Sequence, residues 1–158
     1  MRFPNIKTHD LNKSQLVMLR GLQGEYNLLL LRYAEWQQNQ NDTWLPFASR
    51  LEDAYPGFHY YEVQVAGTKN PLAHFLINES RRVRIAGHGD RAHVLTLYVD
   101  KRHFYQQLGI TSEQDITLML VGRNGEIVWR ETGIWTPGKA DTLDDALLVL
   151  TPLKESDP

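Results

Sequence analysis

The residues with the most evident capacity for chemistry lie between His88 and His93. His88, Asp90 and His93 offer two imidazoles and a carboxylate close together in the chain, and such groups are ligands for zinc or nickel. Their spacing matches no established metal motif, and Arg91 places a positive charge among them. We therefore interpret the segment as a solvated loop and expect neither a bound metal nor another cofactor.

Thiol chemistry is excluded, because the chain contains no cysteine. Disulfides, thiolate catalysis and zinc–cysteine sites all require that residue. The sequence also lacks the Gly-x-Ser-x-Gly element of many hydrolases, the Walker loop of nucleotide-hydrolysing enzymes and the Gly-x-Gly-x-x-Gly element of dinucleotide-binding proteins. The remaining possibilities are binding functions and catalysis by carboxylates or imidazoles.

A local concentration of positive charge is found at Arg81 and Arg84, within a predicted helix over residues 71–85. These two side chains share a helix face and could bind a phosphate or an acidic partner. The alternative is the solvent-exposed face of an amphipathic helix, with Glu79 nearby, and we favour it.

The overall composition is that of an ordinary soluble domain. The chain has 158 residues, a formal net charge of -2 and a pI of about 6.3, so no global field favours nucleic acid or an anionic membrane. No purely apolar run exceeds five residues, far short of the roughly 20 residues that span a bilayer. We expect one domain over residues 1–158, a frayed tail at 154–158 and a cytoplasmic location.

Hydrophobic patterning predicts strands that alternate with helices. The apolar run of residues 28–33 is typical of a strand buried on both faces of a sheet. Trp44, Phe47 and Leu51 recur with helical spacing, which predicts a helix that begins near Trp44 with Pro46 in its first turn. Asp42 or Thr43 can cap this helix.

The other elements complete an α/β fold with a central mixed sheet and helices on both faces. Asn124 and Gly125 predict a hairpin between two late strands, and Thr136 with Pro137 opens a last helix. Further predicted elements are an N-terminal hairpin around residues 12–13, strands over residues 58–65, 94–99, 116–121 and 126–131, and a short helix capped by Asp100.

Two local motifs, in their order and spacing, resemble the thioredoxin-like superfamily. Residues 33–36 read Tyr-Ala-Glu-Trp, which is similar to the Trp-Ala-Glu-Trp that precedes the Cys-x-x-Cys of thioredoxin. Residues 123–127 read Arg-Asn-Gly-Glu-Ile, which resembles the family's Lys-Asn-Gly-Glu-Val hairpin, and Gly133 follows as its later glycine. The resemblance covers about residues 5–150 and implies a thioredoxin-like fold with an extra leading hairpin.

The resemblance also implies that every redox element of the family is missing. The attacking and resolving cysteines fall at Gln37 and Gln40, whose amides cannot exchange disulfides. The buried aspartate of the family falls at Leu31, and its cis-proline at Ile116 or Thr117.

The function implied is therefore non-redox binding of a protein or peptide, as an assembly or regulatory factor whose partner and oligomeric state stay open. The alternative is a small-molecule or anion-binding protein, or an enzyme that uses Glu35 and Asp115 or the histidine group for acid–base work. The candidate binding residues are those that flank the former active site: Glu35, Trp36, Gln37, Gln38, Gln40, Asp115, Ile116 and Thr117.

We predict that the purified protein will not reduce insulin disulfides and will not consume peroxide in a dithiol-dependent cycle, because it has no thiol. Turnover is measured against a no-protein control, with contaminating thioredoxin excluded by mass spectrometry. Activity above that control would contradict the prediction.

Overall fold

The fold is described by a computed structural model over residues 1–4, 7–10, 15–17, 22–67 and 93–150. Seven strands form one mixed sheet in the order β2-β1-β5-β4-β3-β6-β7. Strands β3, β4 and β5 are parallel to one another, and the other neighbouring pairs are antiparallel. The strands are β1 (Lys7–Asp10), β2 (Gln15–Val17), β3 (Tyr26–Arg32), β4 (Phe58–Gly67), β5 (Val94–Val99), β6 (Thr117–Gly122) and β7 (Ile127–Thr132).

Within the described residues, three α-helices accompany the sheet, and the side chains of β3 show how they divide between its faces. Leu28 and Leu30 point into a core shared with α1 (Gln38–Ala54) and α3 (Pro137–Leu150). Leu29 and Leu31 point into a second core, which α2 (Lys101–Leu108) covers. Because both faces are covered, the run of leucines is continuous rather than alternating, as predicted for a central strand.

The sequence-predicted elements are confirmed in most of the described chain. The N-terminal hairpin is present as the antiparallel pair of β1 and β2, and β1 also pairs with β5. Asp100 caps α2 by accepting a hydrogen bond from the backbone N–H of His103 at 3.3 Å. The predicted helix over residues 71–85, with Arg81 and Arg84, lies outside the described residues, as do residues 154–158.

The predicted start of the first helix was wrong. The helix α1 begins at Gln38 and directly follows a 3₁₀ turn over Glu35–Gln37, so neither Asp42 nor Thr43 is its cap. Pro46 therefore lies inside the helix and not in its first turn. It has no N–H to donate to the carbonyl of the preceding turn, and the packing of the helix against the sheet tolerates that loss.

The packing of α1 confirms its predicted inner face. Trp44 and Leu51 are buried against the sheet, and Phe47 is partly buried in the same core. Among the described helices, none combines the length and the apolar character that a membrane span requires.

We predict that Leu51→Ala lowers the free energy of unfolding by about 2–5 kcal/mol, because it leaves a cavity between α1 and the sheet. The matched control is Leu148→Ala on α3, where the leucine is 49% exposed and its loss should have a small effect. Urea denaturation measures both. Equal, small losses in the two variants would contradict the assigned packing.

Candidate functional site

The candidate site lies at the end of the sheet where β3 and β4 finish and β6 begins. The register pairs Leu31 of β3 with Thr117 of β6, and Thr117 with Thr132 of β7. Three loops therefore meet at this end: the one that enters α1, the one that enters β6 and the one that leaves β7. We call this surface the loop face.

Gln37, where the sequence resemblance places the family's attacking cysteine, joins two of these loops. Its Oε1 accepts hydrogen bonds from the backbone N–H of Tyr33 at 2.8 Å and of Ala34 at 3.3 Å. Its Nε2 donates to the carbonyl oxygen of Glu113 at 2.6 Å. The side chain is fully buried, so its amide serves the fold and is not available to a partner.

Gln40, at the position of the resolving cysteine, makes a second link between the same loops. Its Oε1 accepts from the backbone N–H of Ile116 at 2.8 Å, and its Nε2 donates to Asp115 Oδ1 at 3.0 Å. An amide carries a donor and an acceptor, which is what each link requires. The two glutamines thus hold together the segments that a disulfide-exchanging protein would keep open for its thiols.

The remaining redox positions are also filled by structural groups. Leu31 is buried in the apolar core, and the described residues contain no cis peptide bond, at Ile116–Thr117 or elsewhere. The hydroxyls of Tyr33 and Thr117 share a hydrogen bond of 2.7 Å. Burial raises the pKa of Tyr33 to about 12, so the phenol is protonated and uncharged at neutral pH.

A buried polar network beneath the start of α1 was not predicted from the sequence. The Arg32 guanidinium, only 1% exposed, donates to Glu35 Oε2 at 3.1 Å, to Gln38 Oε1 at 2.9 Å and to Gln64 Oε1 at 3.0 Å. Gln38 in turn donates to Glu62 Oε1 at 2.7 Å. A buried charge needs such partners. The sequence feature that could have predicted this network is the polar pair Glu62 and Gln64, which share one face of the buried strand β4.

Glu35 and Asp115, considered from the sequence as an acid–base pair, have different partners. Glu35 pairs with Arg32, whereas Asp115 accepts a hydrogen bond from Gln40. A pocket of about 220 Å³ opens beside Asp115 and Thr117, with Arg130 in its wall. Trp36 does not line that pocket.

The loop face exposes apolar surface at two points. Trp36 is 59% exposed and Ile134 is 52% exposed. The loop that carries Ile134 is anchored beside the site: the Gly133 N–H donates to the Ile116 carbonyl at 3.0 Å, and Trp44 Nε1 donates to the Gly133 carbonyl at 2.9 Å. Trp44 itself is fully buried, in contrast to Trp36.

The predicted site residues therefore divide into two groups. Glu35, Trp36 and Asp115 are exposed, and Gln38 and Gln40 are partly exposed. The side chains of Gln37, Ile116 and Thr117 are buried and can act only by positioning the others.

The histidine group predicted around residues 88–93 is only partly described. His88 and Asp90 lie outside the described residues. His93 lies at the opposite end of the sheet from the loop face, where Glu52 and His59 are its neighbours.

Comparison with known proteins finds similarity in structure alone. No protein-family model matches the chain, and no curated protein matches it in sequence. The thioredoxin domain of a thiol-disulfide oxidoreductase from Bacteroides vulgatus superposes with a TM-score of 0.60 at 17% identity, over 92% of this chain and 94% of that one.

Two further solved structures are similar to the same extent. The exposed lipoprotein thioredoxin of Streptococcus pneumoniae has a TM-score of 0.59 at 16% identity, over 92% of this chain and 99% of that one. A member of the Sco family of cytochrome c oxidase assembly proteins has a TM-score of 0.60 at 10% identity, over 92% and 91% of the two chains. The chain therefore has a thioredoxin-like fold, as the sequence resemblance predicted.

Proposed function

We propose that this protein is a redox-inactive thioredoxin-like protein that binds a protein or peptide segment on the loop face, as an assembly or regulatory factor. One observation carries the proposal: Trp36 is 59% exposed on a turn that Gln37 holds in place from below. Tryptophan is among the residues most often found to dominate binding energy at protein interfaces.

The internal hydrogen bonds of the face favour binding in a second way. The Gln37 and Gln40 amides fix the loops on either side of Trp36 before any partner arrives. A surface that is already ordered loses less conformational entropy on association, so more of the contact energy appears as affinity. Ile134 and the exposed carboxylate of Asp115 supply apolar and polar contacts around the same loops.

The size of the pocket beside Asp115 argues against a small-molecule site or a non-thiol active site at the loop face. Its volume of about 220 Å³ is below the roughly 300–1,000 Å³ usual for ligand pockets. The guanidinium of Arg130, which could have recognised an anion there, already donates to the carbonyls of Leu108 and Gly109.

The solved neighbours are compatible with more than one role. The Sco protein is described as an assembly protein, whereas the Bacteroides protein is an oxidoreductase. The absence of cysteine is consistent with the first role and not with thiol oxidoreduction. A cytoplasmic location and a lack of nucleic-acid partners belong to the same proposal, and they rest on the sequence analysis alone.

We predict that Trp36→Ala weakens partner binding by more than about 1 kcal/mol and barely changes the free energy of unfolding. The partner is first identified by pull-down from native lysate, and its affinity for each purified variant is then measured by titration calorimetry. Val149→Ala, at an 86% exposed position on α3, is the matched control.

Substitutions of Arg81 and Arg84, which lie outside the described residues, provide a result that could contradict this prediction. If Arg81→Ala and Arg84→Ala abolish binding while Trp36→Ala leaves it intact, the loop face is not the docking surface. A small molecule that co-purifies in place of a protein would favour the alternative function.

We also predict that Gln37→Ala lowers the free energy of unfolding by about 1–3 kcal/mol, because it leaves the buried N–H of Tyr33 and the carbonyl of Glu113 without their partner. Asn39→Ala, two positions away and exposed, should have a much smaller effect. Chemical denaturation measures both variants. Similar small effects would show that the amide link does not stabilise the loops.

A further inference from the structure

Two imidazoles and a carboxylate meet at the end of the sheet opposite the loop face. Glu52 lies in the last turns of α1, His59 near the start of β4, and His93 directly before β5. Glu62 of β4 pairs with Val94, the first residue of β5, so His93 lies alongside the first half of β4. The fold thus brings together residues that are far apart in the chain.

The ligand atoms of this cluster are spaced as a metal ion requires. Glu52 Oε2 lies 3.1 Å from His59 Nδ1 and 3.2 Å from His93 Nε2, and all three atoms lie within 4.8 Å of one another. Ligands at 2.0–2.2 Å from a tetrahedral zinc ion are separated by roughly 3.3–3.6 Å. Shifts of about 1 Å or less would therefore admit the ion.

The orientation of His93 favours the same conclusion. Its ring stacks on Tyr60 at 4.4 Å and on His59 at 5.3 Å, which fixes its orientation with Nε2 toward Glu52. The other ring nitrogen, the buried Nδ1, has no hydrogen-bond partner among the described residues.

We infer that Glu52, His59 and His93 form a binding site for a divalent transition-metal ion, of which Zn²⁺ is the best fit. Two histidines and a glutamate are a ligand set that zinc uses where a fourth position is left for water or another ligand. Such a site is independent of the loop face, because it lies at the other end of the sheet. It shares only His93 with the group that the sequence analysis considered and rejected.

The test is zinc binding by the whole chain, purified without a histidine tag and stripped with a chelator. Titration calorimetry with Zn²⁺ should show one ion bound per chain. Glu52→Gln, His59→Gln and His93→Gln should each weaken binding by about 100-fold or more, above the roughly 10–100-fold effect of residues that only support ligands. His103→Gln, an exposed histidine on α2, should leave the affinity unchanged.

X-ray absorption at the zinc edge of the unaltered protein makes the test independent of whether the variants fold. Two imidazole ligands with oxygen in the remaining positions are expected. An all-oxygen shell, the absence of zinc uptake at micromolar concentrations, or binding that all three variants retain at full affinity would overturn the inference.

Discussion

The hydrogen bonds of the Gln37 amide are the interaction on which the order of the loop face depends. A single side chain accepts from the loop that leaves β3 and donates to the loop that enters β6, and Gln40 repeats the link one helical turn later. The sequence resemblance places the two cysteines of the family at these positions, and a glutamine amide cannot exchange disulfides. In this protein both amides instead make hydrogen bonds that hold the loops together and make the loop face rigid.

That rigidity has a second support beneath the helix. Arg32 is buried at the end of β3 with Glu35, Gln38 and Gln64 around it, so the first turns of α1 are tied to two strands by charged and amide groups. The charged member of this network, Arg32, makes three hydrogen bonds, as a buried charge requires. Trp36 lies in the turn between these two sets of bonds. Its exposure is therefore imposed by the surrounding structure and is not a consequence of loose packing.

Local patterns in the sequence predicted the fold well. The leucines of β3 predicted a strand covered on both faces, and Asp100 predicted the start of α2. Both predictions succeeded because they depend on residues that are near neighbours in the chain. The start of α1 was misjudged because the residues that fix it act over long range. Gln37 and its acceptor Glu113 are 76 positions apart. Glu52, His59 and His93 likewise form no compact motif in the sequence. His93 meets the other two only through the pairing of β4 with β5.

We propose that the partner docks on the loop face, which the glutamine amides hold in place. Site-specific photo-crosslinking in cells tests this most directly, with a benzophenone side chain placed at exposed Asn39 beside Trp36 or at exposed Val149 on α3. We predict a discrete cross-linked protein from position 39 that is lost on Trp36→Ala, and none from position 149. Cross-links from position 149 alone, or from position 39 regardless of Trp36, would contradict it.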